Sequence, residues 1–121
     1  MKALRILVAE DDALIGMLLS EMLTDMGHIV CSVAATEAET VASAIEYRPD
    51  LLIVDARLGA ESGIAAVETI LRTGFIPHFF TSGDTMTVMA LRPGAVVVGK
   101  PFGEKELERA IRLALAATVP S

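Results

Sequence analysis

Cysteine is almost absent from this chain of 121 residues: Cys31 stands alone. It allows no internal disulfide and suits a reducing compartment, the cytoplasm. A positive charge balance is missing too. Lys and Arg number 10 against 16 Asp and Glu, a formal net charge of −6, which argues against general nucleic-acid binding through Lys and Arg contacts to phosphate. No uninterrupted apolar run approaches the roughly 18 residues that a membrane-spanning helix needs. The short apolar stretch between Lys2 and Glu10 is cut off by acids and does not read as a signal peptide. Repeats, low-complexity tracts and linkers are also missing. What is present is 53% hydrophobic residues, too many for disorder. The length fits one domain, residues 1–121, burying about two-thirds of its unfolded surface.

Two apolar runs carry acids at their ends. Arg5-Ile6-Leu7-Val8-Ala9 runs into Glu10, Asp11 and Asp12, and Leu51-Leu52-Ile53-Val54 runs into Asp55. Both are too short and too β-branched for helices and read as buried strands of a parallel sheet. Between and after them strands and helices alternate. The spacing predicts a strand over 4–9, then a helix from Asp12 with Ile15, Leu18, Leu19, Met22, Leu23 and Met26 on its core face and Gly27 as its stop. Ile29–Val33 reads as a half-exposed edge strand, and Thr36 caps a second helix that ends near Arg48-Pro49. After the Asp55 strand come a loop with Gly59 and Gly63, a helix over 64–72, a strand over 77–81 and another over 95–98. The segment 85–91 is a poor helix, rich in Thr and Val and closed by Arg92-Pro93-Gly94. The last helix, 104–117, points Leu107, Ala110, Ile111 and Ala114 inward. Short connections between five such units imply a doubly wound α/β domain with a parallel sheet covered on both faces.

In such sheets functional groups collect outside the carboxyl ends of the strands. There the chain places Glu10 and Asp11, Asp55, Thr81 and Lys100. Three neighbouring carboxylates repel one another, and a hard divalent cation with oxygen ligands is the natural counterweight, Mg²⁺ best of all. Lys100 adds a compact positive charge and Thr81 a hydroxyl. The set reads as a phosphoryl clamp around a carboxylate nucleophile.

At this point the sequence resembles the receiver domains of two-component response regulators. The resemblance rests on Ile6-Leu7-Val8-Ala9-Glu10-Asp11-Asp12, Asp55-Ala56-Arg57-Leu58 with Gly63 following, Thr81-Ser82-Gly83 and Lys100-Pro101-Phe102, in this order, and covers about residues 3–118. It implies a flavodoxin-like fold with strand order 2-1-3-4-5. It also implies that Asp55 accepts phosphate from the phosphohistidine of a histidine kinase or phosphotransfer protein, so that the domain catalyses only its own phosphorylation and dephosphorylation. Glu10, Asp11, Asp55 and the backbone carbonyl of Arg57 would hold Mg²⁺. Thr81 and Lys100 would contact the phosphoryl group, with Lys100 set by a cis peptide before Pro101. Arg57 and Gly83 would flank the path of attacking water. Asp12 reads as a helix cap rather than a ligand.

Three departures stand out. Val97 occupies the position that commonly holds a switch aromatic. Gly59 replaces the usual proline of the phosphorylation loop and makes that loop more mobile. The Thr81-to-Lys100 segment is short at the fourth helix, as in a variant group of stand-alone receivers, so signalling is expected to reorder Ser82–Pro93 rather than flip a ring.

Other residues have blander readings. His28 and His78 are structural, the methionines fill core gaps, and Cys31 is a small core hydrophobe. Leu14 and Met17 lie off the helix core face beside the acids. They suit a docking kinase, or else pack on the loop after Pro101. Leu113 and Ala116 are candidates for dimer contacts or ordinary surface residues. Two further functions compete with phosphoryl acceptance. A phosphorylation-independent interaction domain is disfavoured by the intact set of site residues. A haloacid-dehalogenase-type phosphatase needs a second aspartate where Arg57 stands. The 21 residues after Lys100 suffice for one helix and a tail, with no DNA-binding or catalytic effector, and 117–121 reads as a terminus or a cut linker. The downstream protein partner is unknown.

Overall fold

The computed structural model describes residues 2–117; the tail from Thr118 onward lies outside the described residues. The elements in chain order are β1 (Arg5–Ala9), α1 (Ala13–Asp25), β2 (Ile29–Ala34), α2 (Glu37–Tyr47), β3 (Leu51–Asp55), β4 (Arg57–Leu58), β5 (Glu61–Ser62), α3 (Gly63–Leu71), β6 (His78–Ser82), α4 (Thr85–Leu91), β7 (Val97–Gly99) and α5 (Glu104–Ala116). Five strands form one parallel sheet in the order β2-β1-β3-β6-β7. This is the expected 2-1-3-4-5 order, with β4 and β5 as a separate antiparallel pair between the third and fourth sheet strands.

Strand side chains alternate in direction, and the core divides accordingly. Ile6, Val8, Leu51, Ile53, Phe79 and Val98 pack against α1 and α5. Leu7, Ala9, Leu52, Val54 and Phe80 pack against α2, α3 and α4. Leu107, Ala110, Ile111 and Ala114 of α5 are all buried, as their spacing predicted. Caps fix the helix starts: Asp12 accepts from the N–H groups of Leu14 and Ile15, and Thr36 accepts from that of Glu39. Gly27, with φ +94°, stands just past the end of α1. No described helix is long and apolar enough to cross a membrane.

The core face of α1 differs from the predicted one. Gly16, Leu19 and Leu23 are the buried residues of α1, whereas Leu18 is 48% exposed. A glycine adds nothing to a hydrophobic pattern, yet here it sets the close approach. A Cβ at Gly16 would lie 3.2 Å from Val33 Cγ1 and 3.8 Å from the Glu10 side chain. With Gly16 turned inward, Leu18 rotates out to a groove of about 380 Å³ lined by Ile15, Leu19, Met22, Pro101 and Phe102. Leu14 and Met17 are exposed and are not among the residues lining it.

The last sheet strand also shifts, from the expected 95–98 to Val97–Gly99. A turn holds the preceding residues, with the Arg92 N–H on the Val88 carbonyl and the Ala95 N–H on the Arg92 carbonyl. α4 is short as expected, one buried side chain (Val88) anchoring its seven residues.

Candidate functional site

The same alternation that builds the core aims the site. Glu10 continues the row of Ile6 and Val8, Asp55 that of Leu51 and Ile53, Thr81 that of Phe79, and Lys100 that of Val98. All four therefore leave the sheet on the α1/α5 side, one step past the apolar core. Register brings them level: Asp55 stands opposite Thr81, and Ser82 opposite Gly99.

Lys100 is the centre of the cluster. Its Nζ donates to Glu10 Oε1 at 2.7 Å and to Asp55 Oδ2 at 2.6 Å. Burial alone pushes the ammonium pKa down, but the bonds and charges of both carboxylates outweigh it and hold the value above the ordinary lysine range. Glu10 is buried, and that burial raises its pKa against the opposing bonds from Lys100 and the Asp12 N–H. The other Asp55 oxygen, Oδ1, accepts from the Arg57 N–H at 3.0 Å. The Lys100–Pro101 peptide is cis.

Glu10, Asp11 and Asp55 each offer an oxygen within 4.8 Å of the others. An all-oxygen set of carboxylates at that spacing fits a hard divalent cation such as Mg²⁺, with small side-chain adjustments and water completing the shell. Asp12 is not part of the cluster; its carboxylate caps α1. The Arg57 side chain is exposed, and its backbone belongs to the β4–β5 pair. The turn of that pair contains Gly59 at φ +64°, a conformation closed to proline. It approaches Asp11, since a Cβ there would be 3.9 Å from Asp11 Oδ2. Residues 57–62 thus form a short antiparallel pair around this turn.

Gly63 was visible in the sequence, but its purpose was not. A side chain at this position would overlap the Asp55 carbonyl oxygen and come within 2.7 Å of Val54 Cγ1. Its N–H donates to the Ala56 carbonyl at 2.9 Å, so α3 begins directly against the end of β3. A glycine opening a helix, where propensity disfavours it, was the available signal.

Val97 packs half-buried on the opposite sheet face, against the α2/α3/α4 core. His28 is buried, its Nδ1 accepting from the Leu4 N–H. His78 is half-buried, and burial lowers its pKa. Cys31 lies half-buried against the core with its thiol on the Ile6 carbonyl, and burial raises its pKa.

A doubly wound α/β domain with an aspartate, two further acids, a hydroxyl and a lysine at the carboxyl ends of its parallel strands has the architecture of a receiver-type signalling domain. The chain belongs to the response regulator receiver domain family, whose model matches residues 6–112. Among curated proteins it is similar to the phyllosphere-induced regulator PhyR of Methylorubrum extorquens. The two are 36% identical over 117 residues, which cover 93% of this chain and 44% of that protein. It is also similar to the transcriptional regulatory protein PdtaR of Mycobacterium tuberculosis, 34% identical over 116 residues, covering 93% of this chain and 57% of that one. The chain thus spans about half the length of these relatives. In structure it is similar to the receiver domain of Erythrobacter litoralis PhyR, with a TM-score of 0.87, 30% identity, and coverage of 100% of this chain and 97% of that one.

Proposed function

We propose that this receiver domain takes a phosphoryl group onto Asp55 from the phosphohistidine of a histidine kinase or phosphotransfer protein, and passes the signal to a protein partner by changing shape. The observation that carries the reading is the Asp55 carboxylate, held between the Lys100 ammonium and the Arg57 N–H.

In this reaction an Asp55 carboxylate oxygen attacks phosphorus as the donor's P–N bond breaks. The electron pair leaves with the imidazole, which takes up a proton. Lys100 neutralises charge on the moving phosphoryl oxygens, and the Thr81 hydroxyl donates a hydrogen bond to one of them. Glu10, Asp11, Asp55 and the Arg57 carbonyl are the residues to hold Mg²⁺. When bound, that ion supplies positive charge to the phosphoryl oxygens and relieves the repulsion among the acids. Arg57 and Gly83 flank the approach of water for the reverse loss of phosphate. Arg57, standing where a phosphatase of the dehalogenase type carries its acid/base aspartate, argues against turnover of external phosphoesters.

Exposed Leu14, Met17 and Leu18 on α1, beside the acidic cluster, suit the kinase or phosphotransfer helices. With Val97 in place of an aromatic, output runs through Ser82–Pro93, where α4 has one buried anchor. The reading includes a cytoplasmic location, in keeping with the lone Cys31.

Incubation with acetyl phosphate and Mg²⁺, followed by intact-mass measurement, tests the assignment. We expect one added phosphoryl group, absent in Asp55→Asn, and slower amide exchange over 82–93 on adding a phosphate mimic with Mg²⁺. Uptake that survives Asp55→Asn would rule Asp55 out as the acceptor.

A further inference from the structure

The segment carrying Arg57 is tied down at a second place, away from Asp55. Glu61 Oε1 of β5 accepts from the N–H of Glu37, the first residue of α2, at 2.9 Å. In return Glu37 Oε1 accepts from the Ser62 N–H at 3.4 Å. Ser62 is the N-cap of α3, its hydroxyl accepting from the Ala65 N–H at 3.1 Å. The exchange therefore joins the first turns of two helices across the β4–β5 pair, in which Arg57 faces Ser62 and Leu58 faces Glu61.

The chemistry favours this clasp. The opening amides of a helix lack intrahelical partners. Thr36 already serves Glu39 in α2, and Glu61, 24 residues along the chain, serves Glu37. A carboxylate at a helix N-terminus gains from the aligned peptide dipoles, which offsets the repulsion between the two glutamates. Neither glutamate belongs to the acidic cluster at Asp55.

We propose that Glu61 and Glu37 are positioning residues for the Asp55 site. By holding the β4–β5 pair against α2 they fix the Arg57 main chain, whose N–H orients Asp55 Oδ1, and the Gly59 turn beside Asp11. The inference rests on the phosphoryl-acceptor reading of Asp55 and extends it to residues outside the acidic cluster.

The test compares the wild-type chain with Glu61→Ala and Glu61→Gln, the latter keeping a carbonyl oxygen as acceptor. Mg²⁺ titration is followed through the amide signals of Glu10, Asp11, Asp55 and Arg57, and amide exchange over 57–62 is measured without metal. Glu61→Ala is expected to weaken Mg²⁺ binding about tenfold, the low end of the loss on removing a residue that supports metal ligands. It should also speed exchange over 57–62 at a nearly unchanged melting temperature, and Glu61→Gln should restore both. Glu37→Ala should show a smaller loss, and the double variant no more than Glu61→Ala, because the two act as one unit. Wild-type Mg²⁺ affinity in Glu61→Ala, or equal loss in Glu61→Ala and Glu61→Gln, overturns the clasp while leaving Asp55 as acceptor. A wild-type chain that neither binds Mg²⁺ nor takes up a phosphoryl group overturns both.

Discussion

On one flank of the sheet, β1 and β3 are fully paired strands of five residues, and α1 and α2 run for 13 and 11 residues from side-chain caps. On the other flank, β7 has three residues, and α4 has seven with Val88 as its single buried side chain. Met86, Met89 and Leu91 of α4 face solvent, and the ion pair from Arg92 to Glu68 is long, at 3.9 Å, and worth little. The acids stand on the first flank, while Thr81 and Lys100 stand on the second. The contrast is confined to the α4 face of the second flank, since α5 braces β6 and β7 from the other face with four buried side chains, and Lys100 is the side chain that crosses the seam.

The largest expected effect comes from removing the proposed acceptor on the first flank: Asp55→Asn is expected to abolish phosphoryl uptake from acetyl phosphate, read by intact mass. Next is the bridging residue. Lys100→Ala is expected to slow uptake by about 10² to 10³, the loss typical of one charge-stabilising donor. A rate near wild type would show that the two flanks do not cooperate through this side chain. The contrast in packing itself is tested by a pair of truncations. Leu23→Ala, in the fully buried seam of α1, should cost about 3 kcal/mol in denaturant unfolding, and Val88→Ala about half that. Equal costs would erase the distinction between the flanks. Asp12→Ala removes the α1 cap and should cost about 1 kcal/mol without altering the cluster.

The smallest effects concern pH. Glu10 has a raised pKa in the folded protein, so the stability it contributes is fully present below its ordinary value of 4.5 and is lost as pH rises through the higher folded value. Lys100 is also raised, so its contribution holds up to its ordinary 10.5 and disappears only above the folded value. Unfolding curves of wild type, Glu10→Gln and Lys100→Ala across pH separate the two. An acid-side slope unchanged in Glu10→Gln would remove Glu10 as its source.

Much of this was legible in the chain because it depends on period and punctuation. Apolar runs ending in acids located β1 and β3, and Thr36, Gly27 and Arg92-Pro93-Gly94 located helix ends. The order of strands followed from the family resemblance. What escaped were properties that leave no hydrophobic trace. Gly16 contributes nothing to an apolar pattern, yet its bare surface decides which way α1 turns. The β4–β5 pair is too short to show a period, and the bond between Glu61 and Glu37 joins residues whose proximity exists only once α2 and α3 are packed. The turn after α4 engages the Ala95 backbone, and the bonding to β6 starts only at the Val96 carbonyl, which accepts from the Phe80 N–H.

Gly63 carries one more implication. Because nothing but a hydrogen separates α3 from the carbonyl of Asp55, strand end and helix start are a welded joint rather than a hinge. A side chain here would have to drive strand end and helix start apart, and of the chain's glycines Gly63 is the one whose surroundings leave the least room for it.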